Sequence, residues 1–334
     1  MRAVLIEEPG KVAVTTVPDP TPGPGEVVVA VAACGICGTD IHIVDGEFAP
    51  TPYPIVPGHE FAGEVVAVGT GVANVREKDL VAVDPSLFCG ACEYCAIGRG
   101  NLCENWGAIG DTRDGACAEY VVVPAANCHR LPEGLDGAHA ALIEPLSCAV
   151  HGFDLLPRRL GEHYLIYGAG TMGLLMLQLA RNAGAASVSV VDLNEDRLAV
   201  ARQLGADATA TSAGVFDRTR GWEVVIDCTG AIPAIEDGLS RVRRGGTFQQ
   251  FGVAPSGATA RFSPARVYQD EITIVGSMAI LASYGRAVEL MGGGVVDADV
   301  MITHNYPLED YALALDAFRE GSGRKILVRP GTGR

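Results

Sequence analysis

Four cysteines fall within fifteen residues in the run CGACEYCAIGRGNLC, where Cys89, Cys92, Cys95 and Cys103 form a Cys-x2-Cys-x2-Cys-x7-Cys string. Thiolates this close in sequence can wrap one tetrahedral ion without long-range folding, and four sulfurs with no open position describe a closed structural zinc site. An iron–sulfur cluster or unligated thiols would meet the same spacing; zinc is the favoured reading. A second set is dispersed: Cys37 in CGICGTDIH, His59 and Glu60 in GHE, and Glu144 in IEPLS. Three mixed ligands with one exchangeable position make a catalytic zinc, able to bind a substrate oxygen and act as a Lewis acid. Each of these residues alone would be read as packing or surface. Their company with one another and with the cysteine run lifts them above that.

A third constellation binds rather than reacts. The apolar run YLIYG leads into Gly168-Ala169-Gly170-Thr171-Met172-Gly173, and the apolar stretch GLLMLQLA follows at once. Such a turn lets a backbone approach a pyrophosphate and points a helix N-terminus at the anion. Nineteen residues past Gly173 stands Asp192. Its carboxylate can accept hydrogen bonds from both ribose hydroxyls of an adenosine and would repel a 2′-phosphate, so NAD is favoured as the cofactor. Arg197 nearby could accommodate a phosphate and keeps NADP open.

The elements that must position these residues are legible in two styles. Up to about residue 150 the chain reads as short strands, VVVAVAA, EVVAVG, LVAVD and YVVVP, separated by Gly and Pro, which suggests a twisted, barrel-like β domain. From about Tyr164, strand and helix alternate. YLIYG, SVSVVD, DATAT, EVVIDC, TFQQFG and ITIVG are six candidate parallel strands, with helices in TMGLLMLQLARNAG and EDRLAVARQLG. That alternation predicts an α/β doubly wound sheet. The stretches SYGRAVELM, YALALDAFRE and KILVRP are expected to return to the first domain.

Bulk properties exclude other classes. A formal charge of −15, with no basic run longer than Arg241-Val242-Arg243-Arg244, argues against nucleic acid and for a small-molecule ligand. No apolar run has membrane-spanning length, and acidic residues interrupt the amino-terminal MRAVLIEEPG before a signal core forms, so a cytoplasmic protein is expected. Ten cysteines in a reducing compartment point to metal, with isolated Cys117, Cys128, Cys148 and Cys228 read as small buried residues.

Taken in order, CGICGTDIH, PGHEFAGEVVAVG, the cysteine run, EPLS, GAGTMG, DCTG and the terminal KILV resemble the zinc-dependent medium-chain alcohol dehydrogenases. The likeness is strongest to the sorbitol and polyol branch, which also resembles threonine dehydrogenase. It implies a β-rich, chaperonin-like barrel catalytic domain over residues 1–148 and 281–334, with an inserted Rossmann NAD-binding domain over 149–280. It also implies oxidation of a small secondary alcohol, a polyol first, with L-threonine and 2,3-butanediol as alternatives, and a homodimer or homotetramer. By this resemblance Cys37, rather than Cys34, is the ligand with His59. Glu60 is the acidic ligand or near-ligand. Glu144 stands where the classical enzymes carry a cysteine, binding zinc directly or holding its water. Thr39 hydrogen-bonds the substrate oxygen, and His42 passes its proton outward. The segment IVDGEFAPTPYPIV, with Phe48 and Tyr53, is expected to line the substrate pocket. A nucleotide-binding regulator lacking chemistry would have lost zinc ligands, and none is missing here.

Overall fold

The computed structural model describes residues 1–48, 51–157 and 159–331. Ala49 and Pro50 of the expected pocket segment lie outside them. The chain divides into two compact units, one formed by 1–147, 280–294 and 298–334, the other by 148–279 and 295–297.

The first unit is built on β1 (Glu26–Gly35), β2 (Glu60–Val68), β3 (Leu80–Val83), β4 (Tyr120–Pro124) and β5 (Cys128–Arg130). Strand β1 pairs antiparallel with both β2 and β4. Its sequence EVVVAVAACG is buried along almost its whole length, as befits a strand covered on both sides. Val27, Val29, Val31, Phe61, Val65 and Val81 lie at the centre of this unit's core. Helix α1 (Gly38–Asp45) follows β1 after two residues, and α2 (Ile143–Asp154) carries the chain into the second unit.

The second unit contains β6 (His163–Tyr167), α3 (Thr171–Asn182), β7 (Ser187–Val191), α4 (Glu195–Gln203) and β8 (Ala208–Ala210). It continues with β9 (Trp222–Asp227), α5 (Ile232–Arg241), β10 (Val242–Gln250), α6 (Pro264–Gln269) and β11 (Thr273–Gly276). All six strands are parallel, in the order β8-β7-β6-β9-β10-β11. Chain order reverses between β6 and β9, the topological switch point at which such sheets bind ligands. Helices α3 and α4 are each followed by a glycine in the left-handed region, Gly184 and Gly205, as their sequences predict.

After β11 the chain returns to the first unit. Strand β12 (Ile302–Pro307), helix α7 (Tyr311–Arg319) and strand β13 (Lys325–Arg329) complete its seven-stranded sheet, ordered β12-β13-β1-β2-β3-β5 with β4 on β1. The fold is therefore a doubly wound Rossmann-type sheet plus a separate mixed-sheet β domain. Of the isolated cysteines, Cys117 and Cys128 are buried as expected, whereas Cys148 and Cys228 are only partly so.

Candidate metal centres and cofactor site

Two groups of potential metal ligands occur among the described residues. The first is Cys89, Cys92, Cys95 and Cys103, whose sulfurs lie within 4.8 Å of one another. Backbone N–H groups are aimed at them. Cys92 N donates to Cys89 Sγ at 3.4 Å, and Cys89 N and Asn105 N each donate to Cys103 Sγ at 3.3 Å. The N–H groups of Ala91 and Cys92 bring Cys89 down to about 6, while burial and then the neighbouring Cys92 thiol push Cys95 up to about 12. Four crowded sulfurs cannot all ionise unaided, and a divalent cation removes that conflict. The donor set fits zinc.

The second group is Cys37, His59 and Glu60, again with ligand atoms within 4.8 Å of one another. Cys37 sits between the end of β1 and α1, and its N–H donates to the Asp40 carboxylate at 2.8 Å, fixing the turn. His59 and Glu60 stand at the start of β2, the strand directly beside β1, which is how two distant sequence motifs meet. His59 Nδ1 lies 3.1 Å from Asp111 Oδ1 without hydrogen-bond alignment. Burial opposes a charge on His59, yet Asp111 and then Cys37 outweigh it and hold the ring well above its usual range. The surroundings are thus strongly negative, and a cation suits them.

Glu60 does not stand alone. Lys325 Nζ, on β13, donates to its carboxylate and also to Ile36 O at 3.1 Å, and both side chains are almost fully buried. Glu144 lies outside the group. It is buried in the first turn of α2, and its charge is felt by Lys325. Thr39, in the first turn of α1, brings its Oγ1 to 3.7 Å from Cys37 Sγ. His42, in the last turn, is half-exposed and 3.0 Å from Glu47. Tyr53 donates to Ile43 O at 2.5 Å, and with Phe48 it packs on the core beneath α1.

In the second unit, Gly168 has φ +95° and leads through Gly170 into α3. A Cβ on Gly173 would stand 1.8 Å from Gly168 O, so only glycine allows the helix to pack this closely on the turn. A Cβ on Gly170 would meet nothing within 4 Å. That open space, at the start of a 12-residue helix whose first N–H groups lack intrahelical partners, fits a dinucleotide pyrophosphate. Thr171 and Met172 open the helix. Asp192, just past β7, accepts from Ala169 N at 2.7 Å and from Asn194 N at 2.9 Å, which ties the acidic residue to the turn itself. Arg197 lies in the first turn of α4, where the Asn194 side chain caps its N–H.

Three participants escaped the sequence reading. Lys325 is one; a lysine opening an apolar strand was the available signal, since a buried cation requires a partner. Asp111 is another, and nothing in its local sequence distinguishes it. Asp227 is the third. Fully buried at the end of β9, it accepts from Thr229 Oγ1 at 2.6 Å and Gly230 N at 2.9 Å, shaping the DCTG loop beside Gly168.

Residues 23–133 match the alcohol dehydrogenase GroES-like domain, and residues 171–292 match the zinc-binding dehydrogenase domain. D-arabinitol dehydrogenase 1 of Uromyces fabae is 36% identical over 99% of this chain and 97% of its own length. An L-threonine 3-dehydrogenase of Saccharopolyspora erythraea is 34% identical over 98% of each. A crystal structure of a zinc-binding dehydrogenase from Sinorhizobium meliloti 1021 bound to NADP superimposes with a TM-score of 0.94 at 36% identity, covering 98% of this chain and 99% of that one. The chain is an alcohol oxidoreductase of the NAD(P)-linked class. It belongs to the zinc-dependent medium-chain dehydrogenase family.

Proposed function

We propose that this protein oxidises a secondary alcohol of a small polyol to the ketone, using NAD, with catalysis in residues 1–148 and 281–334 and dinucleotide binding in 149–280. The observation that carries this reading is the convergence of Cys37, His59 and Glu60 within 4.8 Å, at the foot of the helix that bears Thr39 and His42. Cys37 and His59 hold the catalytic zinc, with a carboxylate from Glu60 or Glu144 completing the protein ligands. Bound there, zinc would supply Lewis acidity towards an alcohol oxygen, and a nicotinamide cofactor would supply the hydride acceptor. Thr39 accepts and relays the hydroxyl proton, and the exposed His42 delivers it to solvent. Asp192, held by the turn, favours an unphosphorylated adenosine ribose and hence NAD over NADP. The Sinorhizobium structure is bound to NADP, and catalytic efficiency with NADP comparable to that with NAD would overturn the role of Asp192. A cytoplasmic homodimer or homotetramer is the assembly proposed, and ten cysteines without disulfides suit a reducing compartment. Among the described residues no helix is long and apolar enough to cross a membrane.

The polyol assignment rests on similarity to the arabinitol enzyme and on the carboxylates around the site. The threonine relative supports a second reading, against which Phe48 and Tyr53 offer no cation for an amino-acid carboxylate. The test is NADH formation on sorbitol, xylitol, the arabinitols, 2,3-butanediol and L-threonine, alongside metal analysis. Preference for one polyol supports the proposal; preference for threonine overturns it.

The cysteine lobe holds the second, structural zinc. Cys95→Ser is expected to lose about one zinc per chain and lower the melting temperature, while any enzyme that stays folded keeps its turnover. Full metal content and unchanged stability by calorimetry would remove the lobe's assigned role.

A further inference from the structure

The run Arg241-Val242-Arg243-Arg244 has no part in the chemistry above. It borders a cavity of about 680 Å³ at the sheet edge where β9 and β10 begin, whereas the Gly168 turn and Asp192 lie at the opposite, carboxyl edge. Arg218, Arg220, Arg241, Arg243, Arg244 and Arg266 line it, six of the 25 cationic side chains in a protein of net charge −15.

The backbone is built to present them. Trp222 pairs with Val242 and Val224 with Thr247, so only Glu223 on β9 faces residues 243–246 on β10. This interruption of the ladder swings Arg243 and Arg244 out of the sheet, the re-aiming that bulges provide.

Neutralisation is incomplete. Arg218 and Arg243 share Glu223 at 3.4 and 2.6 Å, and Arg244 and Arg266 share Asp270 at 3.0 and 3.4 Å. Arg241 pairs with Asp237 at 2.9 Å. Arg220 has no ion pair among the described residues. With Asp217, which also lines the cavity, cations still exceed carboxylates by two. Glu162, buried nearby, is countered by Arg159.

Two donors within the wall make no hydrogen bond with the protein's described residues. Trp222 lines the same cavity with only 2% of its surface exposed, and its indole N–H has no acceptor. Arg243 Nε is likewise buried and without a partner.

We propose that this arginine-lined cavity is a second anion site, distinct from the cofactor turn, that binds a small diphosphate-bearing molecule. A diphosphate matches the excess charge, offers acceptors to several planar guanidinium forks at once, and fits a cavity within the usual range for small ligands. A concave site of this size favours a small anion over a nucleic-acid strand.

The test is calorimetric titration of inorganic pyrophosphate, and separately of ADP, into the zinc-loaded enzyme saturated with NADH. One pyrophosphate site per chain is expected, weakened by added salt. The variant Arg220→Gln/Arg244→Gln alters two exposed side chains and should weaken that site by about tenfold or more while leaving NADH affinity unchanged. ADP binding as tightly as pyrophosphate identifies a nucleotide as an acceptable carrier of the diphosphate; pyrophosphate alone identifies the free anion. Absence of heat at millimolar pyrophosphate, equal binding by the double variant, displacement of NADH, or tighter capture of an oligonucleotide would each overturn the proposal.

Discussion

Thr39→Val is expected to lower turnover by about 10²- to 10⁴-fold, the range contributed by a positioned proton-transfer group, with zinc content and NADH affinity unchanged. Valine keeps the shape and β-branching of threonine and removes only the hydroxyl, so α1 and the Cys37 turn should survive. That hydroxyl lies 3.7 Å from Cys37 Sγ, beside the position where the substrate oxygen must sit if Cys37 holds the metal. Without it, the proposed relay towards the exposed His42 loses its first member. Thr39→Ser should restore most of the rate, since it restores the donor and acceptor. Steady-state kinetics, metal analysis and NADH fluorescence on the two variants separate a relay from mere packing. Unchanged turnover in the valine variant would end the role given to Thr39.

Lys325→Met should destabilise the protein by about 3–5 kcal/mol, the cost of leaving one member of a buried ion pair uncompensated. The Lys325 and Glu60 side chains are 3% and 2% exposed, so water cannot replace the missing charge. Lys325 also bonds Ile36 O at 3.1 Å, one residue before the proposed ligand Cys37. Adding Glu60→Gln to the variant removes the orphaned charge and should recover much of the loss, because a buried pair contributes little beyond a neutral substitute. Urea unfolding of the three zinc-loaded proteins gives the comparison. If Lys325→Met is as stable as the parent, Glu60 is being neutralised by something else, and the metal is the first place to look.

What the sequence could and could not reveal follows from the range of each interaction. The Gly168 turn and the cysteine run are local: their chemistry is complete within a few residues, so spacing alone exposes them. The six parallel strands were legible because strands covered on both faces read as continuous apolar runs; even the weak DATAT segment appears, as β8, at the sheet's edge. The meeting of Cys37 with His59 and Glu60 required β1 to pair with β2 in one register, which no periodicity encodes. Residue type and company suggested the set, and resemblance assigned its members. Lys325 and Asp111 were missed for the same reason carried further, since each meets its partner through a fold formed by remote segments. The arginine run was seen, but as evidence against nucleic acid. Its concentration about one cavity depends on a bulge that sequence patterning does not reveal.

The return of the chain to its first unit sets an order of assembly during synthesis. Glu60 emerges early, and its counter-charge is made 265 positions later. Until β13 arrives, the Cys34–Gly35 end of β1 lacks the strand that closes it, and an open strand edge in a nascent polypeptide invites pairing with other chains. The parallel sheet of the second unit has all six strands in hand well before that point. The strands of the second unit are thus all synthesised while the first unit still lacks two of its own, making the latter the stage at which a chaperone would have most to protect.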